Sequence, residues 1–282
     1  MRRLRVAWLP DGKRLHLREG ALDLVIQAFG RPPEVGRAYD ACIERARALT
    51  VELEEELPLL QQGKAAVGVV GQRIGAACQG LNVPGLAVLH GAVADELRTT
   101  MAAAGQVERA FVNNRGVLSF HLAEGQSLTP AMMDWPAYRR HDATVPVSSA
   151  LRTRGLAAAG WCYDGLALGW VNRIHVAAES AAQAAACLGA IAVKMRPASG
   201  GQMREAEAVL PGCVLGSLEV YAPVPVSGLE AEAILQRGVV QAQALMEAGT
   251  ITLAAIELGE IYRLIAPPLY SLKAVMSLGE NT

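Results

Sequence analysis

The chain of 282 residues carries 26 Lys and Arg against 27 Asp and Glu, a formal net charge of -1, with 52% hydrophobic, 19% charged and 5% aromatic residues. That apolar content excludes intrinsic disorder, because burial can offset the entropy of ordering the chain. The balanced charge excludes a nucleic-acid binder held by a broad basic face. So thin a charged coat implies apolar surface buried between subunits, and a homodimer is expected.

No run reaches the ~18 uninterrupted apolar residues of a membrane-crossing helix, so no membrane partner is expected. The first residues are basic but lack an apolar core of ~7–15 residues, and are not read as a secretory signal. Five cysteines (Cys42, Cys78, Cys162, Cys187 and Cys213) are scattered without a CxxC pair, and the five histidines show neither HxH nor HExxH spacing. Reduced thiols, a cytoplasmic location and no metal site are the expectation.

In chain order, residues 5–9 and 14–18 read as strands around the turn Pro10-Asp11-Gly12, and residues 22–29 as a third strand. Residues 33–60 read as a helix entered through prolines, with Ala38, Ala41, Cys42, Ala46, Leu49 and Leu53 on one face. Glu52, Glu54, Glu55 and Glu56 read as its solvated face. A short glycine-interrupted helix is predicted over 65–77. A loop and an Ala- and Gly-rich central helix are predicted over 83–105. Strands 109–113 and 117–123 are joined by Asn114-Arg115-Gly116, residues that tolerate positive φ.

Residues 130–152, rich in proline, read as an irregular excursion with one strand. Residues 155–176 have strand character on both sides of Cys162-Tyr163-Asp164-Gly165, where Asp-Gly signals a hairpin. An Ala-rich helix over 179–194, capped by Ser180, precedes a loop at 196–216 and a strand at 218–224. A helix over 228–249 and a hairpin of 251–257 with 261–265 end the pattern. Hairpins, helices and hairpins again make an α+β layered fold with antiparallel sheets, and the recurring helix-then-hairpin order suggests internal duplication.

Gly91-Ala92-Val93-Ala94-Asp95-Glu96, followed by Val112-Asn113-Asn114, resembles the UPF0280 family, prokaryotic proteins related to the ApbE flavin transferases. Supporting blocks lie at 14–29, 56–60, 123–126, 155–169 and 177–192, so the resemblance spans nearly the whole chain. It implies one ApbE-like domain over 1–282, with an N-terminal half of about 1–130 and a C-terminal half of about 150–270. It also implies a dimer, and a ligand cleft near the 112–116 turn and the 155–169 hairpin. ApbE proteins use FAD and magnesium to attach FMN to a Thr or Ser of a target protein, so FAD or FMN is the cofactor the resemblance implies. Such chemistry needs carboxylates to hold Mg²⁺ on a pyrophosphate.

The chain departs from that pattern. Arg115-Gly116-Val117 stands where the family has Gly-Gly-Asp, Asn172 aligns with a family Asp, and the metal segment falls near Ala185 and Leu188. Three oxygen positions are lost together, so a carboxylate-held Mg²⁺ is not expected and the cleft should be more positive than in relatives.

Asp95 is a candidate acid, base or ligand orienter, or a solvent-facing helix residue beside Glu96. His90, near the start of the central helix, is a candidate proton carrier or an ordinary helix-start residue. Asn113 and Asn114 can give a ligand both donors and acceptors, or serve turn chemistry. Arg115 can grip an anion bidentately or lie on the surface. Trp161, Tyr163 and Trp170 concentrate aromatics that can stack on a planar ring or bury a subunit contact. Asp164 is a candidate catalytic group or a turn residue, and Asn172 a ligand contact in place of the family Asp. Cys162 lacks an adjacent base and reads as an inert thiol. Gly200-Gly201 lacks the Lys-Ser/Thr of a phosphate-binding loop.

These residues suit an enzyme or ligand-binding protein acting on a small planar or anionic molecule without carboxylate-held magnesium. The alternatives are FMN transfer from FAD and a non-catalytic subunit acting with a partner protein.

Overall fold

In the computed structural model the described residues are 4–19, 22–133, 141–160, 171–197, 228–259 and 261–267. The first hairpin, β1 (Arg5–Trp8) and β2 (Leu15–Glu19), is followed by β3 (Leu22–Phe29). Asp11 tightens its turn by accepting from the backbone N–H groups of Lys13 (2.9 Å) and Arg14 (3.0 Å). Strict alternation in β3 points Leu22, Leu24, Ile26 and Ala28 inward.

The long helix α1 (Pro32–Gln61) begins at the two prolines, whose missing N–H groups cost nothing in a first turn. Tyr39 ties it to the first strands: its hydroxyl donates to the Lys13 carbonyl (2.8 Å) and accepts from Ala28 N–H (3.1 Å). Glu56, expected on the solvated face, is buried and accepts from the Gly68 N–H at the start of α2 (Val69–Cys78). The orphan donor of one helix end thus draws a carboxylate out of water. A 3-10 turn (Gly85–Val88) leads into α3 (Leu89–Ala104), then the hairpin of β4 (Arg109–Asn114) and β5 (Val117–Leu122).

The excursion holds more order than its prolines suggest. β6 (Ser127–Leu128) pairs with β9 (Val147–Ser148), and β7 (Ala131–Met133) with β8 (His141–Thr144). Then come β10 (Gly155–Ala159), β11 (Arg173–Ala178), α4 (Ala181–Lys194), α5 (Gly228–Glu247), β12 (Ile251–Leu258) and β13 (Ile261–Ile265). The turn expected at 162–165, the strand expected at 218–224 and most of the 196–216 loop lie outside the described residues.

Among the described residues nine strands form one sheet in the order β1-β2-β3-β4-β5-β10-β11-β12-β13, each adjacent pair antiparallel. All five described helices pack on one face, forming two adjoining cores. The second face carries a smaller core, in which Phe120, Leu122, Ala177 and Leu253 pack with Val145 and Val147 of the excursion. The α+β class is therefore as expected.

Close approach at the centre depends on two glycines. A Cβ on Gly91 would stand 2.5 Å from the Ala181 carbonyl oxygen, and one on Gly155 2.1 Å from the Ala181 nitrogen. Both residues let the start of α4 settle between α3 and β10. No described helix is long and apolar enough to cross a membrane.

Candidate functional site

The β4–β5 hairpin turns at the sheet end where α3 begins. Asn114 pairs with Val117, which leaves only Arg115 and Gly116 to reverse the chain, at φ 51° and 82°. Two successive positive φ values define the tight turn that matches strand twist. The left-handed residue is Arg115, not the Asn114 that the dipeptide chemistry favours, because the ladder runs one pair further than expected.

The two asparagines diverge, as neighbours on a strand must. Asn113 Oδ1 accepts from Gly116 N–H (3.1 Å), closing the turn from one side. Asn114, fully buried on the helix face, donates from Nδ2 to the His90 carbonyl (3.2 Å) and accepts from Asp23 N–H (3.4 Å). Asp23 in turn contacts His16 Nε2 at 2.7 Å. Asn113 therefore closes the turn itself, and Asn114 holds the hairpin against α3 and β3.

His90 lies in the first turn of α3, close enough to Arg115 to feel its charge. Burial first, and that charge second, push the imidazole down to about 4, so it is neutral at pH 7. The positive end of the α3 dipole points the same way. His90, Asn114 and Arg115 are thus brought together, with a cation and a helix start at the sheet end.

Asp95 sits elsewhere. It is 1% exposed, neither on the helix surface nor paired with His90. Oδ1 accepts from Ser119 Oγ (2.6 Å) and Ala181 N–H (3.0 Å), and Oδ2 from Ala182 N–H (2.8 Å). The carboxylate fastens the N-terminus of α4 to α3 and β5, where an anion is favoured. Its neighbour Glu96 takes Arg45 Nε (2.8 Å) and Arg73 Nη2 (2.9 Å). An open cavity of about 410 Å³ at the far end of α3 is lined by Arg31, Glu34, Arg37 and Gln106, where Glu34 accepts from Gln106 N–H (2.8 Å).

Asn172 Oδ1 accepts from Gly259 N–H (2.9 Å) and so closes the β12–β13 connection. Ala185 and Leu188 are each 1% exposed in the α4 core and carry no oxygen ligand. Among the described residues no group of three His, Cys, Asp or Glu side chains could hold a metal ion. The donor set at these positions does not fit a carboxylate-held Mg²⁺. Trp161, Tyr163 and Asp164 lie outside the described residues.

One polar group escaped the sequence reading. Arg173 and His175 on β11 share the second face with Glu257 on β12 and Tyr262 on β13. Burial pushes His175 down to about 3, and burial first, with Glu257 beside it, pushes Tyr262 up to about 12. The signal was legible only as polarity alternating with Ile174 and Val176, two residues apart on one strand face.

No curated protein matches the chain. Among solved structures it is similar to the ApbE protein of Thermotoga maritima, with 14% identity, a TM-score of 0.48, and 96% of this chain and 100% of that one covered. The apo flavinyl transferase ApbE of Pseudomonas stutzeri matches with 10% identity and a TM-score of 0.46 over 99% of this chain and 98% of that one. A variant of the flavin transferase ApbE from Vibrio cholerae matches with 12% identity and a TM-score of 0.40 over 91% and 98%. A family model described as "AbpE bacteria" matches residues 6–264, nearly the full length, and the chain belongs to that family.

Proposed function

We propose that the chain binds a small anionic or planar molecule where the β4–β5 hairpin meets the start of α3, without a carboxylate-held magnesium. The observation that carries this reading is the juxtaposition of Arg115, on a turn that Asn113 and Asn114 lock from both sides, with His90 in the first turn of α3. The guanidinium and the helix dipole act on an anion in the same sense, and a fork of donors suits phosphate or carboxylate. Neutral His90 supplies one further donor or acceptor.

The test is titration of the purified chain with FMN, FAD and AMP, followed by calorimetry or fluorescence. Arg115→Gln should weaken binding at least tenfold, the loss expected of one charge-assisted hydrogen bond, with the melting temperature unchanged. Equal affinity in the two proteins would remove Arg115 from the site.

Membership of the family favours a second reading, transfer of FMN from FAD to a protein acceptor. Incubation with FAD, Mg²⁺ and an acceptor should then release AMP. No release above a protein-free control rejects transfer and favours the non-catalytic reading if flavin also fails to bind.

A further inference from the structure

The sheet ends at β1, and that edge is open among the described residues. β1 pairs with β2 alone, and Arg5, Val6, Ala7 and Trp8 are all exposed, Val6 at 38% and Trp8 at 56%. The pairing fixes which backbone groups point outward. Leu9 N–H donates to the Arg14 carbonyl (2.8 Å), and Ala7 and Arg5 continue that alternation opposite His16 and Arg18. In an antiparallel pair only every second residue bonds its neighbour. The N–H and C=O groups of Leu4, Val6 and Trp8 therefore face away from β2, where no described strand pairs with them. Such an edge is a template for another strand.

The two faces of β1 differ. Val6 and Trp8 stand opposite the buried Leu17 and Leu15, on the side of the helices, where Trp8 meets Tyr39 edge-to-face at 5.2 Å. Leu4 packs on the same core. Arg5 lies on the other face, across from Arg18. In a chain of net charge -1, residues 1–18 hold six cations (Arg2, Arg3, Arg5, Lys13, Arg14 and Arg18) against one carboxylate, Asp11, which Arg14 already engages. A second copy would bring the same cations to the same edge, and like charge opposes that pairing. An acidic strand meets the opposite charge.

We propose that β1 is a docking edge for an extended acidic segment of another protein, which adds to the sheet as a further strand. Its backbone bonds the outward groups of Leu4, Val6 and Trp8. Period-two alternation sets its composition: apolar side chains beside Val6 and Trp8, and carboxylates beside Arg5. Val6 shares a row with Leu17, Leu24 and Asn114, three strands or about 14 Å from the β4–β5 hairpin. The edge is therefore independent of the ligand site proposed there.

The probe is a short fluorescein-labelled peptide alternating Glu and Val, titrated into the full chain by anisotropy, with a Lys-for-Glu peptide as control. The Glu peptide should bind at millimolar concentration or below, and the Lys peptide at least about tenfold more weakly. Val6→Pro removes an outward N–H that β2 does not use, a change that edge strands tolerate. It should weaken binding of the Glu peptide about tenfold with the melting temperature held. N-methylation of the Glu peptide along one edge should do the same to the wild-type chain, without altering its fold. Failure of the Glu peptide to bind overturns the proposal, as does equal binding by the Lys peptide, by the N-methylated peptide or by Val6→Pro. A wild-type dimer in sedimentation that Val6→Pro makes monomeric also overturns it, because a second copy would then hold the edge.

Discussion

His90 and Asp95 stand five residues apart on α3, within one recognisable stretch, and they face different worlds. Asp95 has both oxygens engaged by two backbone N–H groups of α4 and the Ser119 hydroxyl, inside the protein. His90 stands one helical turn nearer the sheet end, beside the half-buried Arg115 cation on a tight turn. The same helix uses one polar residue to fasten layers and holds another beside a candidate ligand site. A carboxylate in a motif is therefore not yet a catalytic group: the number of donors already on it decides.

That contrast can be broken most forcefully at Asp95. Asp95→Asn keeps the shape but turns one acceptor into a donor facing α4, and charge-assisted hydrogen bonds are lost. The expected cost is about 3 kcal/mol or more, a fall in melting temperature of roughly 6–12 °C. A near-normal melting curve would release Asp95 for chemistry.

Acid comes next. His90 titrates at about 4 in the folded chain and His175 at about 3, both below the ordinary 6.5. Below pH 6.5 the unfolded chain binds protons that the folded chain refuses, so stability is complete above 6.5 and falls with pH toward the folded values. From pH 6.5 to 5 each imidazole costs about 2 kcal/mol. Depressed carboxylates such as Glu34 and Glu96 titrate below 4.5 and leave this window to the histidines. Urea midpoints measured across it should fall, and His90→Gln should flatten the slope. An unchanged slope in that variant would place His90 in water.

Asn114→Ala should cost less, about 1.5 kcal/mol, because the His90 carbonyl and Asp23 N–H each lose one neutral partner. Denaturant midpoints read this directly, and no loss would mean that water replaces the amide. Arg115→Gly sits at the small end. Glycine accepts φ 51° without strain, so stability should change by no more than about 1 kcal/mol, in the favourable direction. Anion binding should nevertheless drop, which separates the two ends of α3 most sharply.

Much of the fold was legible locally. The alternation of Leu22, Leu24 and Ile26, the turn at Asp11-Gly12, and the Ser180 cap, whose Oγ accepts from Gln183 N–H at 3.1 Å, are short-range features. Each rests on residues within a few positions, where propensity and periodicity act. The site was less legible because its partners are distant in sequence. Asp95 meets Ala182 across 87 residues, and Arg173 meets Glu257 across 84. The acidic run in α1 misled for the same reason, since Glu56 is drawn inward by the start of another helix.

The low and balanced charge, the strand and helix periods, and the turn residues determined an α+β chain with Ala- and Gly-rich helices suited to close packing. The tertiary structure alone decided which polar groups those layers enclose. Asp95, Glu56 and Asn114 were matched to orphan backbone groups across distant parts of the chain. Periodicity places a side chain on a face, but burial and the donors across the interface determine whether it holds the fold or meets a ligand.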